Sequence, residues 1–132
     1  MRLTAAGLDQ VLPDGEVDLD RVEVDAGTVT LHGTLEQPTR TSGTSRMGRF
    51  PYRLVVGGVE HVEVVDRDQV VLLPVERVDY DEAAGVLQLT MIIPGHVRLR
   101  TPQREYELHV QETPTHVRRF GRWKPLPDPP SA

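Results

Sequence analysis

Cysteine and asparagine are absent from this 132-residue chain, lysine occurs once and isoleucine twice. The lack of cysteine excludes a disulfide scaffold, a thiolate zinc site and a cysteine nucleophile. No run approaches the roughly 18–20 apolar residues of a membrane-spanning helix, and no signal peptide opens the chain. A cytoplasmic protein without membrane association is therefore expected. Serine is confined to Ser42, Ser45 and Ser131, none of them in a G-x-S-x-G elbow. Gly43 and Gly48 belong to no phosphate-cradling pattern. An enzyme on this chain would have to work through carboxylates and histidines scattered along the sequence.

What is present points to β structure. A hydrophobic fraction of 38% beside 27% charged residues suits a globular chain, and the length suits one domain. Valine occurs 19 times, and β-branched side chains pack well on a pleated surface. Eleven glycines and eleven prolines punctuate the chain as many short strands require. The expected fold is all-β, an antiparallel sandwich or small barrel of about eight short strands with little helix. Residues 1–112 form the expected β-domain. Residues 113–132 form a tail, basic and aromatic at first and then proline-rich.

Leu3 to Val11 is the one modest helix candidate, ended by Pro13-Asp14-Gly15. The apolar phase changes near Asp20, which predicts a bend or bulge, and Asp25-Ala26-Gly27 predicts a hairpin turn. From Gln37 to Arg49 the chain is polar and lacks apolar periodicity, so a long exposed loop is expected there. Val70 to Leu73 is a continuous apolar run, as in a strand buried on both faces. Leu87, Leu89, Met91 and Ile93 alternate cleanly and should point into the core. Residues 96–110 suggest a hairpin with Arg100 opposite Glu105, Arg98 opposite Glu107 and His96 opposite His109.

Several groups invite a chemical reading. His96 and His109, if opposed, bring two imidazoles together, but a metal site needs a third ligand. His61 and Glu63 share one strand face. Asp14, Glu16, Asp18 and Asp20 have the density of a calcium loop, but Gly15 is misplaced for an EF-hand. A pocket joining His32, His61 or Tyr52 to a buried carboxylate would signal a ligand site. No cofactor is expected.

Gly27 to Gly33 and Ala84 to Pro94 resemble two strand signatures of the small heat-shock (α-crystallin) domain, in which a similar G-V-L segment ends a β-sandwich. The present chain departs from that pattern in the strand-rich stretch 96–110 and in lacking an I-x-I tail motif.

Charge is unevenly divided. Residues 1–97 hold 8 basic and 16 acidic side chains, a balance of −8; residues 98–132 hold 7 and 4, a balance of +3. The basic tail is expected to fold back and insert Trp123 against the sheet, with the final proline-rich residues loose. The functional expectation is a non-enzymatic protein-interaction module, holdase-like or toxin-neutralising. Its candidate binding residues are Arg40 and Arg46 in the 37–49 segment and Arg118, Arg119, Phe120, Arg122 and Trp123 in the tail. The expected partner is another protein rather than nucleic acid, with the oligomeric state open. A small-molecule-binding barrel or a hydrolytic enzyme of unrecognised type is the alternative.

Overall fold

A computed structural model describes the backbone of residues 1–41, 44–119 and 122–125. It describes their side chains except at Arg40, Thr41, Thr44, Ser45, Arg119, Arg122 and Trp123. The described residues form one short helix, α1 (Ala5–Val11), and eleven strands, all paired antiparallel. The sheet is open rather than a closed barrel, with the order β1-β9-β4-β3-β2-β6-β7-β8-β5. It has two wings. One holds β1 (Arg2–Leu3), β9 (Tyr106–Val110), β4 (Thr44–Val56), β3 (Thr28–Thr41) and β2 (Glu16–Asp25). The other holds β6 (Leu72–Asp81), β7 (Val86–Met91), β8 (Gly95–Arg100) and β5 (His61–Asp66). A three-residue ladder, Glu16–Asp18 on Leu72–Pro74, joins them.

Both wings feed a single hydrophobic cluster. Leu31, Leu54 and Leu108 enter from the first wing and Leu87, Leu89, Val97 and Leu99 from the second, all at or near zero exposure. Twenty buried residues among those described make up this cluster, and burial on this scale is the dominant favourable term in folding. Helix α1 adds Ala5 and Leu8, and its C-cap adds Leu12. Its start is fixed by Thr4, whose hydroxyl accepts the Gly7 N–H. It is tied to β6 by the Asp9 carboxylate, which accepts the Val78 N–H at 2.7 Å.

The alternating residues of β7 face inward as the sequence requires: Leu87, Leu89 and Met91 are buried, while Ile93 is half-buried beyond the strand end. The bend near Asp20 is a bulge, where the register of β2 on β3 moves from Asp18↔His32 to Glu23↔Thr30. Five steps on one strand oppose two on the other, so the chain arches away from the sheet. The β2–β3 turn is Ala26-Gly27, both at positive φ (47 and 82), as a two-residue type I′ hairpin demands. Gly33 is required by close approach, because a Cβ there would meet the Glu16 carbonyl and stand 2.6 Å from the Tyr52 ring.

Three expectations need correction. The polar stretch 37–49 is not a loop: it continues β3 and β4 into a long two-stranded arm paired through Arg40↔Ser45 and Thr41↔Thr44. Backbone pairing and β-favouring threonines sustain a strand without an apolar stripe. The apolar run at Val70–Leu73 is not buried on both faces. Gln69 and Val71 take positive φ (53 and 75), the Asp66 carboxylate accepts the Val70 and Val71 N–H groups, and Val70 and Leu72 stay exposed.

Finally, residues 96–110 are not a hairpin. Strand β8 lies between β5 and β7, whereas β9 joins β1 and β4 in the other wing. The crossover is anchored at Thr101, 1% exposed, whose hydroxyl donates to the Gly57 carbonyl and accepts the Gln103 N–H. Its backbone N–H reaches the Gly85 carbonyl, and its own carbonyl accepts the Tyr80 hydroxyl at 2.7 Å. The charge pairing that suggested a hairpin is met instead on β5, where Glu63 stands opposite Arg98 and His61 opposite Arg100. Cross-strand ion pairs of about 0.2–1 kcal/mol do not override the placement of a core strand.

Candidate functional site

The two segments singled out in the sequence meet in space. Strand β10 (His116–Arg119) pairs with the arm through His116↔Arg49 and Val117↔Gly48. It then turns into β11 (Arg122–Pro125), with Arg118 opposite Trp123 and Arg119 opposite Arg122. The arm and the tail hairpin thus form one lobe at an edge of the first wing. The chain arrives there through Thr115, whose backbone N–H donates to the Arg49 carbonyl at 2.8 Å.

The lobe has its own small apolar seat. Phe50 and Val117 are buried but stand outside the main cluster. Gly48 lies between them, and a Cβ there would come within 3.0 Å of both the Phe50 ring and Pro114. A side chain here would force Phe50, Pro114 or Thr39 to give way, so glycine eases the seating of the tail on β4.

Electrostatics distinguishes the lobe from the rest. Residues 37–49 and 113–125 together contain seven basic side chains and no acidic one. The remaining sequence carries 8 basic against 20 acidic side chains, a balance of −12. Of the predicted binding residues, Arg40, Arg46, Arg118, Arg119, Arg122 and Trp123 all belong to these paired strands. The Arg46 Nε is buried without a hydrogen-bond partner, whereas Lys124 is exposed. Phe120, the Trp123 side chain and the proline-rich end lie outside the described residues. The fold-back of the tail is seen in its backbone, on the arm.

The histidine pairings read from the sequence are rearranged. His96 and His109 sit in different wings, so they offer no shared metal site. His96 instead places Nε2 3.1 Å from the Glu63 carboxylate, with Arg98 at 4.0 Å from its other oxygen. The His96 hydrogen bond, with the neighbouring charges of His96, Arg98 and His61, holds the Glu63 carboxyl below its ordinary value. Among the described residues no group of three or more His, Asp or Glu side chains is arranged to hold a metal ion. Asp18, in the acidic stripe, caps the backbone N–H of Asp20.

The three tyrosines fasten backbone. Tyr52 donates to the Glu16 carbonyl, Tyr80 to that of Thr101 and Tyr106 to that of Gln103. Burial, helped by the Glu16 charge, pushes the Tyr52 phenol well above its ordinary value, and burial foremost pushes Tyr106 up to about 12. Both remain protonated at neutral pH. The described residues line surface grooves of about 380, 450 and 180 Å³. His32 and Tyr52 line the first and His61 the third, and none of the three contains a buried carboxylate.

Comparison with protein-family models, with curated proteins and with solved structures finds no match. The stretches that resemble α-crystallin strands are β3 and β7, in separate wings.

Proposed function

We propose that this protein is a non-enzymatic interaction module whose basic lobe docks on an acidic segment of a partner protein. The observation that carries the reading is the pairing of Val117 with Gly48, which joins two segments that contain seven basic residues and no acidic one. A shared apolar core and the lack of a buried carboxylate in the described grooves fit a binding role better than a hydrolytic one. An acidic peptide suits the surface better than a long nucleic acid does, because an extended polyanion would also run into the −12 body.

The test is fluorescence anisotropy with a labelled Glu/Asp-rich peptide and, separately, a mixed-sequence single-stranded RNA of equal charge. The peptide is expected to bind more tightly than the RNA, to weaken as salt rises and to be lost by the Arg46→Glu/Lys124→Glu double variant. Equal binding to that variant, or a preference for RNA, would overturn the reading.

A further inference from the structure

On the outer face of the first wing, a row of polar side chains crosses four strands. Its register runs Asp18↔His32↔Arg53↔His109 over β2, β3, β4 and β9. Cross-strand neighbours on one face lie about 5 Å apart at Cβ, so these side chains share one patch. Beside them Gln111 follows His109, its backbone N–H donating to the Pro51 carbonyl. The β2 bulge supplies the missing wall, because the arch between Asp18 and Glu23 carries Arg21 over the sheet. The result is an open groove of about 380 Å³ lined by Arg21, His32, Arg53, His109 and Gln111, with Pro51 and Val110 as apolar surface.

The donors in this groove are under-used. Among the described residues the Arg21 and Arg53 side chains make neither hydrogen bond nor ion pair, although the chain has 20 carboxylates and only 15 basic side chains. His32 is mostly buried. Its Nε2 has no hydrogen-bond partner, and the Glu23 carboxylate 3.2 Å away stands outside hydrogen-bonding geometry. His109 contacts the exposed Glu107 at 3.4 Å. Asp18, at the end of the row, Glu23 and Glu107 flank the groove without lining it. Two guanidinium forks, two imidazoles and an amide that converge on a space with apolar walls match a planar or tetrahedral oxyanion.

We propose that this groove binds a small organic molecule through its carboxylate or phosphate group, with Arg21 and Arg53 as the principal ligands and His32, His109 and Gln111 as further donors. The volume is at the low end for small-molecule sites, so the ligand is compact. This site is separate from the basic lobe and independent of the docking role proposed for it.

Nuclear magnetic resonance titration of the full chain at constant ionic strength tests the proposal, with inorganic phosphate, phenyl phosphate and benzoate as probes. Saturable shifts at Arg21, His32, Arg53 and His109 are expected for at least one probe, and the responding probe identifies the head group. Arg53→Gln, an exposed change that should leave the spectrum of the core intact, should weaken that binding roughly tenfold or more. Arg77→Gln, remote from the groove, should leave it unchanged. The absence of saturable shifts, or shifts centred on Arg46 and Lys124 and insensitive to Arg53→Gln, would overturn the proposal.

Discussion

The outer faces of the two wings are built from the same residue types to opposite effect. The second wing gathers His61, His96, Arg98 and Arg100 around Glu63, which accepts from His96 and faces Arg98. The first gathers His32, His109, Arg21 and Arg53 with no carboxylate at the centre of the row. One acidic side chain at the middle of a cationic cluster closes that surface on itself. Where the middle position is an arginine, the same histidines and arginines stay open to an external anion. The presence of the charges matters less than which strand carries the central one.

The largest expected effect tests whether the wings are one folding unit. Leu54→Ala in the first and Leu89→Ala in the second should each cost about 2–5 kcal/mol, because both side chains are wholly buried in the shared cluster. Denaturant unfolding followed by the amide resonances of Leu31 in the first wing and Val97 in the second should show one coincident transition for each variant. Two separate transitions would divide the wings into independent units.

Gly33→Ala should damage the first wing by about 1–3 kcal/mol, since the new methyl meets the Glu16 carbonyl and the Tyr52 ring. Alanine at this site with an unchanged melting temperature would mean that both the β2 backbone at Glu16 and the Tyr52 ring can yield. Val71→Gly acts in the second wing and in the other direction. A β-branched residue at φ 75 is strained, so glycine should be neutral or stabilising by up to about 1 kcal/mol, which thermal unfolding measures.

The smallest effect sharpens the contrast of the faces. The folded-state depression of the Glu63 carboxyl stabilises the protein above the unfolded carboxylate range and is lost as pH falls through the lowered value. Glu63→Gln should therefore make stability less dependent on pH at the acidic end, while freeing His96 and Arg98 for added phosphate. An acid limb as steep as that of the unaltered protein would show that Glu63 does not set it.

Local pattern made the core legible and left the wiring hidden. Leu87, Leu89 and Met91 declare their face because a period of two admits a single inward set. The bulge near Asp20 and the Ala26-Gly27 turn were also legible, since a phase change and a glycine-containing turn are local events. The destination of β9 was not. Arg98 and Arg100 find complementary partners equally on Glu105 and Glu107 or on Glu63, and nothing within residues 96–110 chooses between them. The arm was missed for a related reason: with polar residues throughout, only the partner strand reveals a ladder. The basic character of the tail followed from charge counting, but its union with the arm did not, because it depends on the β10–β4 pairing. The groove did not, because Arg21, Arg53 and His109 are far apart in sequence and become neighbours through the β4–β9 pairing that pattern could not supply.

The pairing of β1 with β9 also bears on the order in which the chain acquires its structure. Arg2 lies opposite Glu107, and the Met1 carbonyl accepts the Leu108 N–H at 2.8 Å. Strand β1 therefore pairs with a strand more than a hundred residues away in sequence. The β2–β3, β3–β4, β6–β7 and β7–β8 neighbours close over short loops and can form early, at little entropic cost. The β1–β9 ladder closes the longest stretch of chain of any pair in the sheet, so it costs most in loop-closure entropy and forms after the local hairpins.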